Sequence, residues 1–219
     1  MHISEGILSG PVLISGAAIA VAGTAIGLKQ LDYDRIARAG MLSAAFFVAS
    51  LIHVPIGPSS VHLVLNGIVG LLLGWGAFPA ILTALVLQAV FFQFGGITTL
   101  GINMVIMAAP AVLCYYLFGF MLRKKSPIPM IGAFACGFFS VLIGAVIAGF
   151  ALMFTEKNFL EVSTMIVAAH IPVMIIEGII TAFFVGFLQK VQPDMLPEFT
   201  MQKGLYSIAP EKQTVNPEC

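Results

Sequence analysis

The feature that most constrains this chain is a series of long apolar runs separated by short polar interruptions. Of its 219 residues, 59% are hydrophobic and only 9% are charged, whereas a soluble domain carries about 25% charged residues. Because one helix needs roughly 20 apolar residues to cross a bilayer, we expect an all-α integral membrane protein. The composition excludes a soluble enzyme, and the balanced charge excludes a nucleic-acid binder.

The apolar runs predict a bundle of about seven transmembrane helices. The predicted segments are residues 7–28, 36–54, 61–73, 77–94, 101–122, 128–154 and 162–188. The third segment is short for a crossing, so we expect it to be broken, tilted or extended by neighbouring turns. An alternative with six crossings merges the third and fourth segments through Gly74 and Gly76, and we favour seven.

The positions of the basic residues predict the orientation, because cytoplasmic loops are rich in lysine and arginine. Lys157 alone lies on one side of a seven-helix bundle, and the other basic residues lie on the opposite side: Lys29, Arg35, Arg38, Arg123, Lys124, Lys125, Lys190, Lys203 and Lys212. We therefore expect the amino terminus outside and the carboxyl terminus in the cytoplasm. Residues 1–190 would form the transmembrane domain, and residues 191–219, rich in proline and charge, a cytoplasmic tail.

The amino terminus offers an unusual set of nitrogen donors. No basic residue precedes the first apolar run, so a cleaved signal peptide is not expected, and Met1 should keep a free α-amine at the outer face. That amine, the backbone nitrogen of His2 and the His2 Nδ1 atom can bind one metal ion, closing a five-membered and a six-membered chelate ring. One further imidazole would complete a four-nitrogen site of the geometry associated with Ni(II) or Cu(II).

All four histidines of the chain fall in the predicted outer half: His2, His53, His62 and His170. Imidazole is the commonest metal ligand among side chains. His62 is the leading fourth donor, because it begins a predicted helix beside an uncharged outer loop. Taken alone, the residues favour the ordinary interpretation, in which Met1-His2 is simply how the chain starts.

Three stretches alter that balance, because they resemble the signatures of one family. They are residues 1–6 (Met-His-Ile-Ser-Glu-Gly), residues 57–63 (Gly-Pro-Ser-Ser-Val-His-Leu) and residues 95–103 (Gly-Gly-Ile-Thr-Thr-Leu-Gly-Ile-Asn). The family is the substrate-binding membrane subunit, or S component, of energy-coupling factor cobalt/nickel importers. The chain resembles its cobalt branch (CbiM/NikM-like), which serves cobalamin synthesis. The similarity extends from Met1 to about Gln189.

The resemblance implies seven helices with the amino terminus tucked into the outer face of the bundle. It also implies that the cargo is Co(II) first and Ni(II) second, bound by Met1, His2 and His62, with no resident cofactor. His53 is expected to have a structural or accessory role. Asn103 and Glu177 are expected to orient the ligands, although a buried carboxylate bonded across helices is an equally favoured interpretation of Glu177.

Two other polar residues are expected to have structural roles. His170 precedes Ile171-Pro172 inside a predicted span, where a core histidine is favoured over a metal ligand. Glu5 is predicted to cap or charge-balance the first turn of the first helix, whose start favours an anion. A second role for Glu5 is to hold the terminal segment in place, and the capping role is favoured over direct ligation of a metal.

The chain carries no G-x-x-x-x-G-K-[ST] phosphate loop, so we expect neither an ATPase nor any other enzyme. The resemblance implies partners in the inner membrane of a prokaryote: a transmembrane coupling subunit, cytoplasmic ATPase subunits and a small accessory membrane subunit, all surrounded by lipid. The alternative is a self-sufficient metal transporter or channel, which would need inverted repeats or charged intramembrane pairs. A membrane metalloprotease is disfavoured, because the H-E-x-x-H motif is missing.

Overall fold

A computed structural model of the protein describes residues 3–56, 59–122, 127–154, 159–196, 199–202 and 205–208. These residues contain seven α-helices: α1 Gly10–Lys29, α2 Tyr33–Ala49, α3 Asn66–Leu73, α4 Ala77–Phe92, α5 Leu100–Phe118, α6 Ile128–Met153 and α7 Phe159–Val191. They also contain four short strands: β1 His53–Ile56, β2 Ser59–His62, β3 Phe199–Gln202 and β4 Leu205–Ile208. Strand β1 pairs with β2 and strand β3 with β4, each pair forming an antiparallel hairpin, and the second hairpin lies in the predicted tail.

Five helical stretches of the described residues are long and apolar enough to cross a membrane: Gly10–Lys29, Asn66–Phe92, Leu100–Met121, Ile128–Met153 and Val167–Val191. The stretch Asn66–Phe92 joins α3, with 8 residues, to α4, with 16, and α2, with 17 residues, lies outside the five stretches. The structure thus confirms an α-helical, multi-pass membrane protein. The seven crossings and the direction of the two termini stay predictions.

The junction between α3 and α4 contains a backbone conformation that suits glycine. Gly74 has φ +55° and begins a single 3₁₀ turn, Gly74–Gly76, that connects the two helices without a loop. A positive φ costs glycine little because it has no Cβ atom. The third predicted segment therefore contains a short helix that is extended by a turn. Helix α4 follows that turn directly, in the same stretch that the six-crossing alternative treats as one crossing.

The structure corrects the prediction for residues 50–65. We predicted that His53 ends one helix and that His62 begins the next, but α2 ends at Ala49 and α3 begins only at Asn66. The backbone between them forms the β1–β2 hairpin, in which His53 pairs directly with His62. Pro55 has no N–H to donate within a helix, and this stretch is rich in the β-branched residues that favour strands.

Close contacts between glycines bring α3, α6 and α7 together. A Cβ atom built on Gly67 of α3 would lie 2.8 Å from the Cα atom of Gly137 on α6. A Cβ atom on Gly137 would in turn lie 2.6 Å from the carbonyl oxygen of Glu177 on α7. Small residues allow such close approach of helices in membranes. The start of α3 is therefore packed beside Glu177.

Candidate functional site

The first described residue, Ile3, is bound by the side chain of Asn103 in the first turn of α5. The Asn103 Oδ1 atom accepts a hydrogen bond from the Ile3 N–H at 2.9 Å, and its Nδ2 atom donates to the Ile3 carbonyl oxygen at 3.0 Å. Both side chains are buried. Asn103 also donates to Thr99 Oγ1 at 3.2 Å. The backbone directly after His2 is therefore held on α5 by two buried hydrogen bonds.

Glu5 makes a second attachment of the amino-terminal segment. Its Oε1 atom accepts hydrogen bonds from the Thr98 N–H at 2.9 Å and from Thr98 Oγ1 at 3.0 Å. These bonds, the backbone one foremost, lower the pKa of the exposed Glu5 carboxyl. The predicted capping role is wrong, because α1 begins at Gly10 and has no acidic residue in its first turn. Glu5 instead connects the terminal segment to the loop before α5.

Two glycines of the loop before α5 make room for this segment. Gly95 has φ +78° and Gly96 has φ +119°, both in the region that favours glycine. A Cβ atom on Gly95 would lie 2.7 Å from the Asn103 Nδ2 atom, and one on Gly96 would overlap the Glu5 side chain. The glycine-rich signature at residues 95–103 therefore has a physical role in docking the amino-terminal segment.

His62 is buried at the end of β2. Its Nδ1 atom lies 2.9 Å from the carbonyl oxygen of Leu63, and since a carbonyl can only accept, Nδ1 is the donor. The proton of the neutral ring is therefore on Nδ1, and Nε2 carries the lone pair that can bind a metal. Metal-binding histidines typically donate their other ring N–H to a carbonyl or carboxylate in this way.

Glu177 lies in the middle of α7, and its side chain is fully buried. Its carboxylate accepts hydrogen bonds from the backbone N–H groups of Val64 and Leu65; the Leu65 nitrogen lies 2.9 Å from Oε1 and 3.0 Å from Oε2. Glu177 is thus a buried side chain that is hydrogen-bonded to the backbone directly before α3. The residues that it binds follow His62 closely in the chain.

The first two turns of α5 bring the two segments together. The amino-terminal segment binds Asn103, and the Nδ2 atom of Asn66, at the start of α3, lies 3.4 Å from the carbonyl oxygen of Met107. Residues 103 and 107 are about one helical turn, or roughly 5.4 Å, apart. Val64 and Met104 also belong to the same buried apolar cluster. The backbone after His2 and the backbone after His62 therefore meet the same end of α5.

Some predicted site residues lie outside what the structure describes. Met1 and His2 are outside the described residues, and of His53 only the backbone, opposite His62, is described. His170 is buried in α7, as expected of a core histidine. Within the described ranges no group of three or more His, Cys, Asp and Glu side chains could hold a metal ion. A site of the predicted kind would take most of its donors from Met1 and His2.

These features define a multi-pass helical membrane protein with a buried polar site at one end of α5. Comparison with known proteins gives the family, because residues 2–195 match the model of CbiM, the cobalt uptake substrate-specific transmembrane region. The chain belongs to this family. It is 43% identical over 199 residues to a protein of Haemophilus influenzae named as a metal transport protein. The aligned residues cover 90% of this chain and 97% of the relative.

Two further similarities agree with the family. The chain is 28% identical over 205 residues to a protein of Archaeoglobus fulgidus named as a fused nickel transport protein, NikMN, covering 90% of this chain and 68% of the relative. A crystal structure of a transition metal transporter superposes with a TM-score of 0.74 at 26% identity, covering 87% of this chain and 93% of the other. The predicted resemblance to the cobalt and nickel S components is confirmed, and the family is one of metal transport proteins and not of enzymes.

Proposed function

We propose that this protein is the substrate-specificity subunit of an ATP-driven importer of the energy-coupling factor type, and that it captures a divalent transition metal at the outer face of the inner membrane. Cobalt, for cobalamin synthesis, is proposed first, because the matching family is described by cobalt uptake. Nickel is second, because a chelate with an amide nitrogen suits nickel and a relative is named for nickel transport.

The proposed ligands are the Met1 α-amine, the His2 amide nitrogen and Nδ1, and the His62 Nε2 atom. The observation that carries this proposal is the state of the His62 ring, whose Nδ1 atom donates to the Leu63 carbonyl oxygen and so leaves the lone pair on Nε2. The docking of Ile3 on Asn103 supports it, because it holds the residue after His2 on the same end of α5 that the start of α3 contacts.

The proposed partners supply the energy for transport. They are a transmembrane coupling subunit, cytoplasmic ATPase subunits and a small accessory membrane subunit. The absence of a phosphate loop from the sequence supports this division of labour. In proteoliposomes, uptake of Co(II) should require these partners and ATP. Full uptake by the lone chain without ATP would instead establish the alternative, a self-sufficient transporter or channel.

A pair of histidine variants tests the ligand assignment. We expect His62→Ala to lose Co(II) affinity by more than the 10–100-fold that is typical of a group outside the ligand set, and His170→Ala to lose much less. The metal content of each purified protein, measured by mass spectrometry after loading with equal Co(II) and Ni(II), reports both the binding and the preferred metal. Equal losses in the two variants would contradict the choice of His62.

A further inference from the structure

We propose that Glu177 is a positioning residue that orients the His62 imidazole through the peptide unit between Leu63 and Val64. The proposal rests on the proposed function, because it takes His62 to be a ligand of the metal. Glu177 itself does not bind the metal in this proposal.

The peptide unit between Leu63 and Val64 has a hydrogen bond at each side. Its carbonyl oxygen, that of Leu63, accepts a hydrogen bond from the His62 Nδ1 atom at 2.9 Å. Its N–H group, that of Val64, donates to the Glu177 carboxylate. A peptide unit is planar, and in the trans form its C=O and N–H bonds point in opposite directions. Because Glu177 fixes the plane of this peptide unit at its N–H side, it also fixes the direction in which the carbonyl oxygen faces the imidazole.

The next peptide unit strengthens this attachment. The Leu65 N–H donates to both Glu177 oxygens, at 2.9 and 3.0 Å. Leu65 has φ +54°, a left-handed conformation that is uncommon for a residue with a Cβ atom and that persists only where its surroundings hold it. Without the carboxylate, Leu65 would be free to return to an ordinary conformation. That change would rotate the peptide unit between Val64 and Leu65 and remove a constraint on the unit before it, which holds the imidazole.

The surroundings of Glu177 make a carboxylate suitable for this role. Helix α3 begins at Asn66, directly after the two bound N–H groups, and the amino-terminal end of a helix favours a negative charge. A carboxyl group also offers two acceptor oxygens, and both are used by the Leu65 N–H group. An imidazole that donates to a polarised carbonyl is also held in one tautomer, with Nε2 as the metal-binding atom.

Thr181 provides a matched control on the same helix. Its hydroxyl is buried and donates to the backbone carbonyl oxygen of Glu177 at 2.7 Å, but no carboxylate bond depends on it. Thr181→Val removes a buried hydrogen bond one turn from Glu177 and leaves the peptide unit after Leu63 with both partners. A general disturbance of α7 should therefore appear in both variants, and a loss of His62 orientation only in the Glu177 variant.

The experiment compares full-length wild-type protein, Glu177→Gln, Thr181→Val and His62→Ala in detergent, all with an unmodified amino terminus. Cobalt(II) chloride alone is titrated, and the affinity, the visible absorption bands of the bound ion at saturation and the thermal midpoint of the metal-free protein are recorded. Glutamine offers one acceptor oxygen in place of two. We expect Glu177→Gln to bind Co(II) 10–100-fold more weakly and with shifted bands, and Thr181→Val to match the wild type in both.

The outcomes separate the proposal from the proposed function. Wild-type affinity and bands in Glu177→Gln, or a lowered thermal midpoint with unchanged bands, would overturn the positioning role. Should Glu177→Gln not fold, Glu177→Asp, which keeps the charge but shortens the side chain, decides by the same two readouts. A wild-type protein that binds no Co(II), or a His62→Ala variant that binds it normally, would instead overturn the proposed function.

Discussion

The attachment of Ile3 to Asn103 makes a quantitative prediction about the amino-terminal segment. In Asn103→Leu the side chain keeps the same branching but offers neither a donor nor an acceptor, so the Ile3 N–H and C=O both lose their partners. A buried polar group without a partner costs about 1–3 kcal/mol. Docking of the segment should therefore weaken by at least about 2 kcal/mol, which corresponds to roughly thirtyfold in the docking equilibrium.

If Met1 and His2 bind the metal, only the docked protein is competent, and the apparent dissociation constant rises as the docked fraction falls. We expect the Co(II) affinity of Asn103→Leu to drop by about tenfold or more, and the Ile3 amide to exchange its hydrogen faster. Isothermal titration and hydrogen exchange of the amino-terminal peptide measure these two effects.

A matched control lies between α7 and the backbone just beyond the opposite end of α5. The Gln189 amide donates to the carbonyl oxygen of Leu122 at 2.8 Å, so Gln189→Leu removes a similar bond from a side-chain amide to the backbone, far from Asn103. That variant should keep wild-type affinity. An Asn103→Leu protein with a wild-type dissociation constant and a protected Ile3 amide would refute the reasoning, because it would show that docking does not depend on these two bonds.

Two further predictions concern the same segment. One alanine inserted between Met1 and His2, or an uncleaved amino-terminal tag, should abolish metal binding as fully as His2→Ala, while a carboxyl-terminal tag should have no effect. Metal content is measured by mass spectrometry. A protein with an amino-terminal tag that loads Co(II) normally would exclude the chelate. The hydrogen bonds that lower the pKa of Glu5 stabilise its ionised form. Their contribution to stability is therefore complete above the pKa that Glu5 has in the unfolded chain, and it is lost as the pH falls through the lower pKa of Glu5 in the folded protein. After correction for the intrinsic exchange rate at each pH, the protection of amide hydrogens in the loop before α5 should accordingly fall in acid for the wild type and show no such step in Glu5→Gln.

The sequence alone determined the class of structure, because hydropathy is a property of local windows. Runs of apolar residues with few charges predict membrane helices wherever they occur, and α1, α5, α6 and α7 begin and end within a few residues of their predicted segments. The signatures around His62 and Asn103 also indicated the family, since they are short and contiguous. The local pattern failed at the β1–β2 hairpin, where an apolar run of strand length was interpreted as helix.

The partners of the polar side chains were decided by the tertiary structure. Glu5 was predicted to act on its own helix, yet it binds Thr98, 93 residues away. Glu177 binds Leu65 across 112 residues. The Glu177 bonds form because polar groups buried inside a membrane protein must be satisfied internally, and in both cases which donor meets which acceptor follows from how the helices pack. The low polarity that makes a membrane helix recognisable from its sequence does not specify which residues its few polar side chains bind, because that depends on how the helices pack.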